Sequence, residues 1–142
     1  GKALESQDAG VRREAVAALG KVGAKKMAPA IFPLLRDGEE DVRVVALDAL
    51  TTLADHAIEP ALLEGLRASD PEYRHSCLLL LARCGTRAAV RPLVKFFHDS
   101  DQSLQQAAVR SFQELTGATP STLDPGEAEL RRWEDLVERR QR

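Results

Sequence analysis

The apolar positions of this chain recur with helical spacing inside a longer period. Val42, Val45, Ala46, Ala49, Leu50 and Leu53 advance in steps that keep to one helical face, and Ile58, Leu62, Leu63 and Leu66 do the same after a short break. This pattern predicts a helical hairpin. The hairpin then repeats: Val11-Arg12, Val42-Arg43, Tyr73-Arg74 and Leu104-Gln105 fall 31 residues apart, and so do Ala15, Ala46, Cys77 and Ala108. Leu19, Leu50, Leu81 and Phe112 share a third slot, and Val22, Leu53, Cys84 and Leu115 a fourth. A period of this length marks an array in which each unit buries its apolar face only against its neighbours. The predicted fold is all-α, an α-α superhelix forming a right-handed solenoid of about four hairpins closed by a C-terminal capping helix. The first helices are placed near 9–22, 40–53, 71–83 and 102–115, and the second helices near 26–36, 57–67 and 88–98.

Local chemistry sets the boundaries. Asp70-Pro71-Glu72 combines an N-cap acid, a proline at the first helical position and an acid in the first turn, and Asp8, Glu39 and Asp101 hold the slot of Asp70. Gly23 and Gly85 stand where a helix end favours positive φ. Pro33, four residues after Pro29, predicts a kink or a late helix start, because proline removes an intrahelical hydrogen bond. Gly65 occupies the slot of Leu34 and Phe96, so a larger neighbouring side chain is expected to fill its space. The units are 8–38, 39–69, 70–100 and 101–117, with residues 1–7 as the remnant of a preceding repeat. That remnant is expected because Leu4 holds the slot of Leu35, Leu66 and Phe97, which reads as a fragment of a longer protein. Residues 118–142 follow as a loop and a cap, whose Leu130, Trp133, Leu136 and Val137 form a narrow apolar stripe; Trp133 serves packing in the cap or docking of a partner.

The run Val11-Arg12-Arg13-Glu14-Ala15-Val16-Ala17-Ala18-Leu19-Gly20 resembles the short HEAT repeats of the phycobilisome-lyase-like class, and Arg87 to Phe97 is similar to that family's second helix. The resemblance covers about residues 4–117. It implies that second helices line a concave face and first helices a convex one. The class includes bilin lyases, but no lyase-specific residue can be matched in this chain, and such folds host many unrelated tasks.

At 142 residues, 44% hydrophobic, 30% charged and only 4% aromatic, the composition suits helices packed through Ala, Leu and Val. The net charge of -2 supplies no bulk attraction to nucleic acid or anionic membrane. Cys77 and Cys84 sit in slots that are apolar in sister repeats, which favours buried thiols and a cytoplasmic setting over a disulfide framework. His56, His75 and His98 form neither a His-Glu pair nor an i, i+4 pair, so no metal site is expected, although HEAT-type hydroxylases bind iron through His-Glu pairs. There is no phosphate-binding glycine loop and no nucleophile-base-acid set, and the chain is read as non-catalytic with no cofactor. Arg12, Arg43 and Arg74 make a ladder within reach of Asp37, Asp41 or Asp70, which ends where Gln105 replaces arginine.

With the apolar slots removed, the second helices present Lys25, Lys26, Arg36, Arg67, Arg87, Arg91 and Lys95 against a single acid, Glu64. These seven cations form either an ordinary solvated face or a basic concave strip for a partner. The functional hypothesis is a protein-interaction scaffold or adaptor that docks an acidic segment of a protein partner, or of its own longer chain. The alternative is binding along a nucleic-acid backbone, as in HEAT-like DNA glycosylases, or a bilin lyase-related role carried by the family resemblance alone.

Overall fold

The computed structural model describes residues 2–142, and the described residues contain helices, turns and loops with no strand. They divide into two compact units, Gly1–Ile58 and Glu59–Arg142. In the first unit, α1 (Ala9–Lys21) lies against α3 (Glu40–Leu53), with the short α2 (Ala28–Ile31) between them in the chain. Small residues set the approach: a Cβ added at Gly20 would lie 3.3 Å from the Cβ of Ala49. Val16, Ile31, Val42, Ala46 and Leu50 are fully buried there, which removes apolar surface from water at roughly 25 cal/mol per Å2.

The second unit holds α4 (Glu59–Gly65), α5 (Pro71–Cys84), α6 (Val90–Val94), α7 (Gln102–Thr116) and α8 (Glu127–Arg140). α5 packs on α4 and on α7, and Ser111 Oγ donates to the carbonyl of Leu78 at 2.7 Å, a buried bond that ties α7 to α5. Cys77 and Cys84 lie in this core, 0% and 3% exposed. Phe97, Phe112 and Trp133 form an edge-to-face chain with centroids 5.4 Å and 4.7 Å apart, a geometry favoured by the ring quadrupoles. Trp133, 1% exposed, is therefore a packing residue of this core.

The first helices follow the apolar pattern to within a residue, and three of them are capped by the expected side chain. Asp8 accepts from the amides of Gly10 and Val11, Asp70 from Glu72, and Asp101 from Ser103 and Leu104. Glu39 makes no such cap bond, and no other side chain takes its place; Asp37 accepts from the amide of Glu39 itself at 2.9 Å, outside the helix. Gly23 has the expected positive φ of 67°, but Gly85 does not: its φ is -70°. Gly85 is needed for room, since a Cβ there would lie 2.5 Å from the Leu81 carbonyl oxygen.

The first of the second helices is interrupted at Pro33, where the sequence predicts a kink or late start, and the others differ from the continuous segments predicted. Each opens with a 3-10 turn, at Lys25–Met27, His56–Ile58 and Arg87–Ala89, before a short α segment. Two of them also close with one, at Phe32–Arg36 and Lys95–His98. Pro29, Pro60 and Pro92 all fall in the first turn of their α segments, where no intrahelical N–H is lost. Pro33 comes one residue into the 3-10 turn that ends the first of them, so the conflict with α geometry is resolved by a change of helix type.

The C-terminal helix lies on α7, α6 and the Arg87–Ala89 turn. Its direction is fixed by contacts at both ends. Just before it Asp124 reaches His98 (2.9 Å), whereas just beyond it Gln141 donates to the carbonyl of Gly85 (2.6 Å). Since residues 85–98 run the other way, α8 is antiparallel to α6. Arg140 lies against Gly117, the C-cap of α7, so residues 117–126 carry the chain back along α7 and α8 then runs parallel to it.

The site at Gly65 tests the packing directly. A Cβ there would lie 2.5 Å from Cys77 Sγ and 3.2 Å from the Tyr73 ring, the side chains that fill the slot left by the missing bulk. Gly65→Ala gains roughly 1 kcal/mol in helix propensity but forces overpacking that costs about 1–3 kcal/mol. A lower urea midpoint is expected, and an unchanged or higher midpoint would contradict the packing described.

Candidate functional site

The arginine ladder is the first place where charge is organised. Arg12 donates from Nε and Nη2 to the two carboxylate oxygens of Asp37, at 2.8 and 3.0 Å, and from Nη1 to the carbonyl of Ser6 at 2.7 Å. Arg43 Nη1 donates to the carbonyl of Asp37 at 2.7 Å. Asp37 thus joins two first helices to the turn between them, with only 6% of its side chain exposed. The hydrogen bond from Arg12 holds its carboxyl below the usual carboxylate range, and the Arg12 guanidinium is raised in turn. Gln105 continues the same role, its Nε2 donating to the carbonyl of Phe97 at 2.6 Å.

The seven cations of the second helices do not share one fate. Lys25, Lys26 and Arg36 stand exposed on the turns of the first unit. In the second unit, Arg87 and Arg91 face α8. Arg91 Nε meets Glu134 at 2.9 Å and its Nη2 meets Glu127 at 2.7 Å, while Arg87 Nη1 meets Glu138 at 2.9 Å and lies 3.9 Å from Asp135. Hydrogen bonds from Arg91 lower the carboxyls of Glu127 and Glu134 and raise Arg91 itself. The count of seven bases to one acid therefore changes: four acids of the chain's own last helix answer two of those bases.

Arg67, whose acid partner is the equally exposed Glu64 at 3.7 Å, and Lys95 remain, and the fold brings them together. A groove of about 380 Å3 opens between α4 and α6, with Leu63, Leu66, Pro92 and Phe96 as its apolar walls. Arg67, Lys95, Arg74 and Asp99 complete the lining. Arg67 and Lys95 are exposed; Arg74 is half-buried, with Nε out of water and without a hydrogen-bond partner. Sequence reasoning assigned Arg74 to the ladder and missed its place here.

A second residue was also missed. Glu59 occupies the slot of Ala28 and Val90, yet it is only 7% exposed. Its carboxylate accepts from the Thr86 amide (2.6 Å) and the Thr86 hydroxyl (2.8 Å), which satisfies the buried acid and anchors the turn before α6. An acid in an otherwise apolar slot was the available signal. No group of three or more His, Cys, Asp or Glu among the described residues could hold a metal ion. No helix among them is long and apolar enough to cross a membrane.

Stacked hairpins with this register define an all-helical repeat protein of the α-α superhelix class. The HEAT repeat profile matches residues 1–60 and again 59–125, and the chain belongs to the HEAT repeat family. No curated sequence matches it significantly. Similar solved structures include an engineered protein from a structural genomics consortium (TM-score 0.52, 19% identity, 96% of this chain and 75% of that one). A second engineered protein from the same source gives 0.54 and 20%, over 97% and 46% of the two chains. A structure described as concerning TOG–tubulin binding specificity in microtubule dynamics and mitotic spindle formation gives 0.60 and 16%, over 94% and 63%. This chain thus spans less than two thirds of two of these three proteins, and at such identities the likeness is one of fold.

Two outcomes follow from the ion pairs. Asp37, Glu127 and Glu134 have lowered carboxyl pKa values, so the stability they contribute is complete above the ordinary carboxylate range near about 4 and is lost as pH falls through the lower folded values. Asp37→Asn should be less stable than the parent at pH 7, with a deficit that shrinks below about pH 4; a deficit constant with pH would show that the charge of Asp37 contributes nothing. Arg91→Glu sets a third acid beside Glu127 and Glu134 and should lower the melting temperature by several degrees, whereas an unchanged temperature would mean that the α8 clamp is dispensable.

Proposed function

We propose that this chain is a non-catalytic interaction module that holds an acidic segment of a protein partner against the cations of its second helices. The observation that carries this reading is how the second unit uses its own cations. Arg87 and Arg91 hold an acidic helix of the same chain, while Arg67 and Lys95 stay exposed on an open groove. A surface that binds one acidic helix internally has the chemistry to bind another from outside. Lys25, Lys26 and Arg36 are exposed as well and belong to the same set of second-helix cations; Arg87 and Arg91 serve the internal helix and are left out of the partner site. The similarity in fold to a TOG protein described by its tubulin binding supports a protein as the class of partner. Buried thiols at Cys77 and Cys84 suit a reducing compartment such as the cytoplasm.

The test uses fluorescein-labelled poly-glutamate and anisotropy. Arg67→Glu with Lys95→Glu should weaken binding by about fivefold or more, on the order of 1 kcal/mol. Arg13→Glu with Arg110→Glu, exposed on the first helices α1 and α7, changes net charge equally and should have a smaller effect. Equal losses from both pairs would reduce the effect to overall charge, and no binding by the parent protein would remove the proposal.

A further inference from the structure

The chain does not satisfy the ladder arginines equally: Nε of Arg43 and Nε of Arg74 are both buried without an acceptor, but Arg43 is also held through Nη1. Arg12 has both Asp37 and the Ser6 carbonyl, Arg43 has the Asp37 carbonyl, and Gln105 has the Phe97 carbonyl. Arg74 forms no ion pair, and its buried Nε has no hydrogen-bond acceptor. Register alone would give it Asp99, which follows Arg74 by 25 residues as Asp37 follows Arg12. Asp99 Oδ1 accepts from the Asp101 amide at 2.8 Å, as Asp37 Oδ1 accepts from the Glu39 amide, but unlike Asp37 it lines the groove without pairing to the ladder arginine. A guanidinium N–H withdrawn from water and left without an acceptor is an unfavourable arrangement in a finished core. Arg74 also lines the groove.

We infer that this groove is a specific seat for a peptide in which a carboxylate directly adjoins a large apolar side chain. The inference rests on the acidic-partner reading above and names where, and by what pattern, the partner is held. Arg74 supplies a planar fork suited to two-point binding of a carboxylate. Arg67 and Lys95 flank it with exposed charge, and Leu63, Leu66, Pro92 and Phe96 offer apolar surface within the same space of about 380 Å3. The chain itself provides the template: in α8 the adjacent residues Trp133 and Glu134 divide in this manner, the indole buried and the carboxylate held by Nε and Nη2 of Arg91. A phosphate backbone fits less well, because the apolar walls have nothing to bind along it.

The probe is the blocked pentapeptide acetyl-Leu-Trp-Glu-Asp-Leu-amide, titrated into 15N-labelled protein. The expected result is a saturable shift of the Arg74 Nε–Hε resonance, with affinity lowered at least fivefold by Arg74→Gln and by Lys95→Glu. Arg83→Glu, exposed on the same helix α5, should leave the affinity unchanged. Lys95 lies on the surface, so its variant and the Arg74 resonance of the parent keep the test valid even if Arg74→Gln unfolds the protein. Equal binding of a peptide with Gln and Asn in place of the acids would overturn the inference, as would equal binding of one with serines in place of Leu and Trp. Tighter binding of a single-stranded DNA dodecamer to the same resonance would replace it with a nucleic-acid site. Shifts confined to the cations of the first unit would overturn this groove while leaving the broader reading in place. Silence from both this peptide and poly-glutamate would remove both.

Discussion

Close approach of consecutive first helices is the constraint on which the rest of this structure depends. Gly20 against Ala49 in the first unit, and the Ser111 bond to the Leu78 carbonyl in the second, show backbones drawn together by small side chains. That closeness costs the chain its freedom to place bulk there, and the bulk appears elsewhere. Leu50, Leu53 and Leu81 are buried in the two cores, and Phe97, Phe112 and Trp133 form one edge-to-face cluster. With only 4% aromatic residues in the chain, half of the six are committed to this one cluster, so the aromatic surface left for recognition is small.

The first helices were legible because one physical effect decides them: a fully buried apolar face with a period of 31 residues. Their side chains at Val42, Ala46, Leu50 and Leu53 are 0 to 1% exposed, so sequence pattern and packing report the same thing. The second helices are decided by two competing effects, apolar periodicity and proline geometry. Periodicity alone predicts continuous helices across Pro29, Pro33, Pro60 and Pro92; the backbone answers each proline by starting or changing a helix near it. Gly85 is a similar case, since the sign of φ and the need for space both select glycine, and only coordinates separate them.

The candidate site was legible as a list of cations and not as a surface. Aligning repeats compares each residue with its counterparts, and α8 has no counterpart in the earlier repeats because its direction is reversed. Its acids were therefore left out of the balance around Arg87 and Arg91. The signal existed in the spacing of Glu127, Glu134 and Glu138, which places them on one side of a helix beside Leu130, Trp133 and Val137. Arg74 was hidden for the opposite reason. Its slot matched Arg12 and Arg43 so well that the repeat implied a partner, yet Asp99, which holds the place of Asp37, does not pair with it.

Repetition and recognition thus pull in different directions within this chain. A residue that obeys the repeat is satisfied by its neighbours and has little left to offer a ligand, as Arg12 on Asp37 illustrates. Departures leave unmatched chemistry: an acid at Glu59 where sister repeats are apolar, a helix reversed at 127–140, and an arginine at 74 that the acid in its register, Asp99, does not meet. The first two are compensated inside the protein, Glu59 by Thr86 and the reversed helix by Arg87 and Arg91. Arg74 has no such compensation and borders an open groove, so the position where internal consistency stops is also the one best placed to meet another molecule.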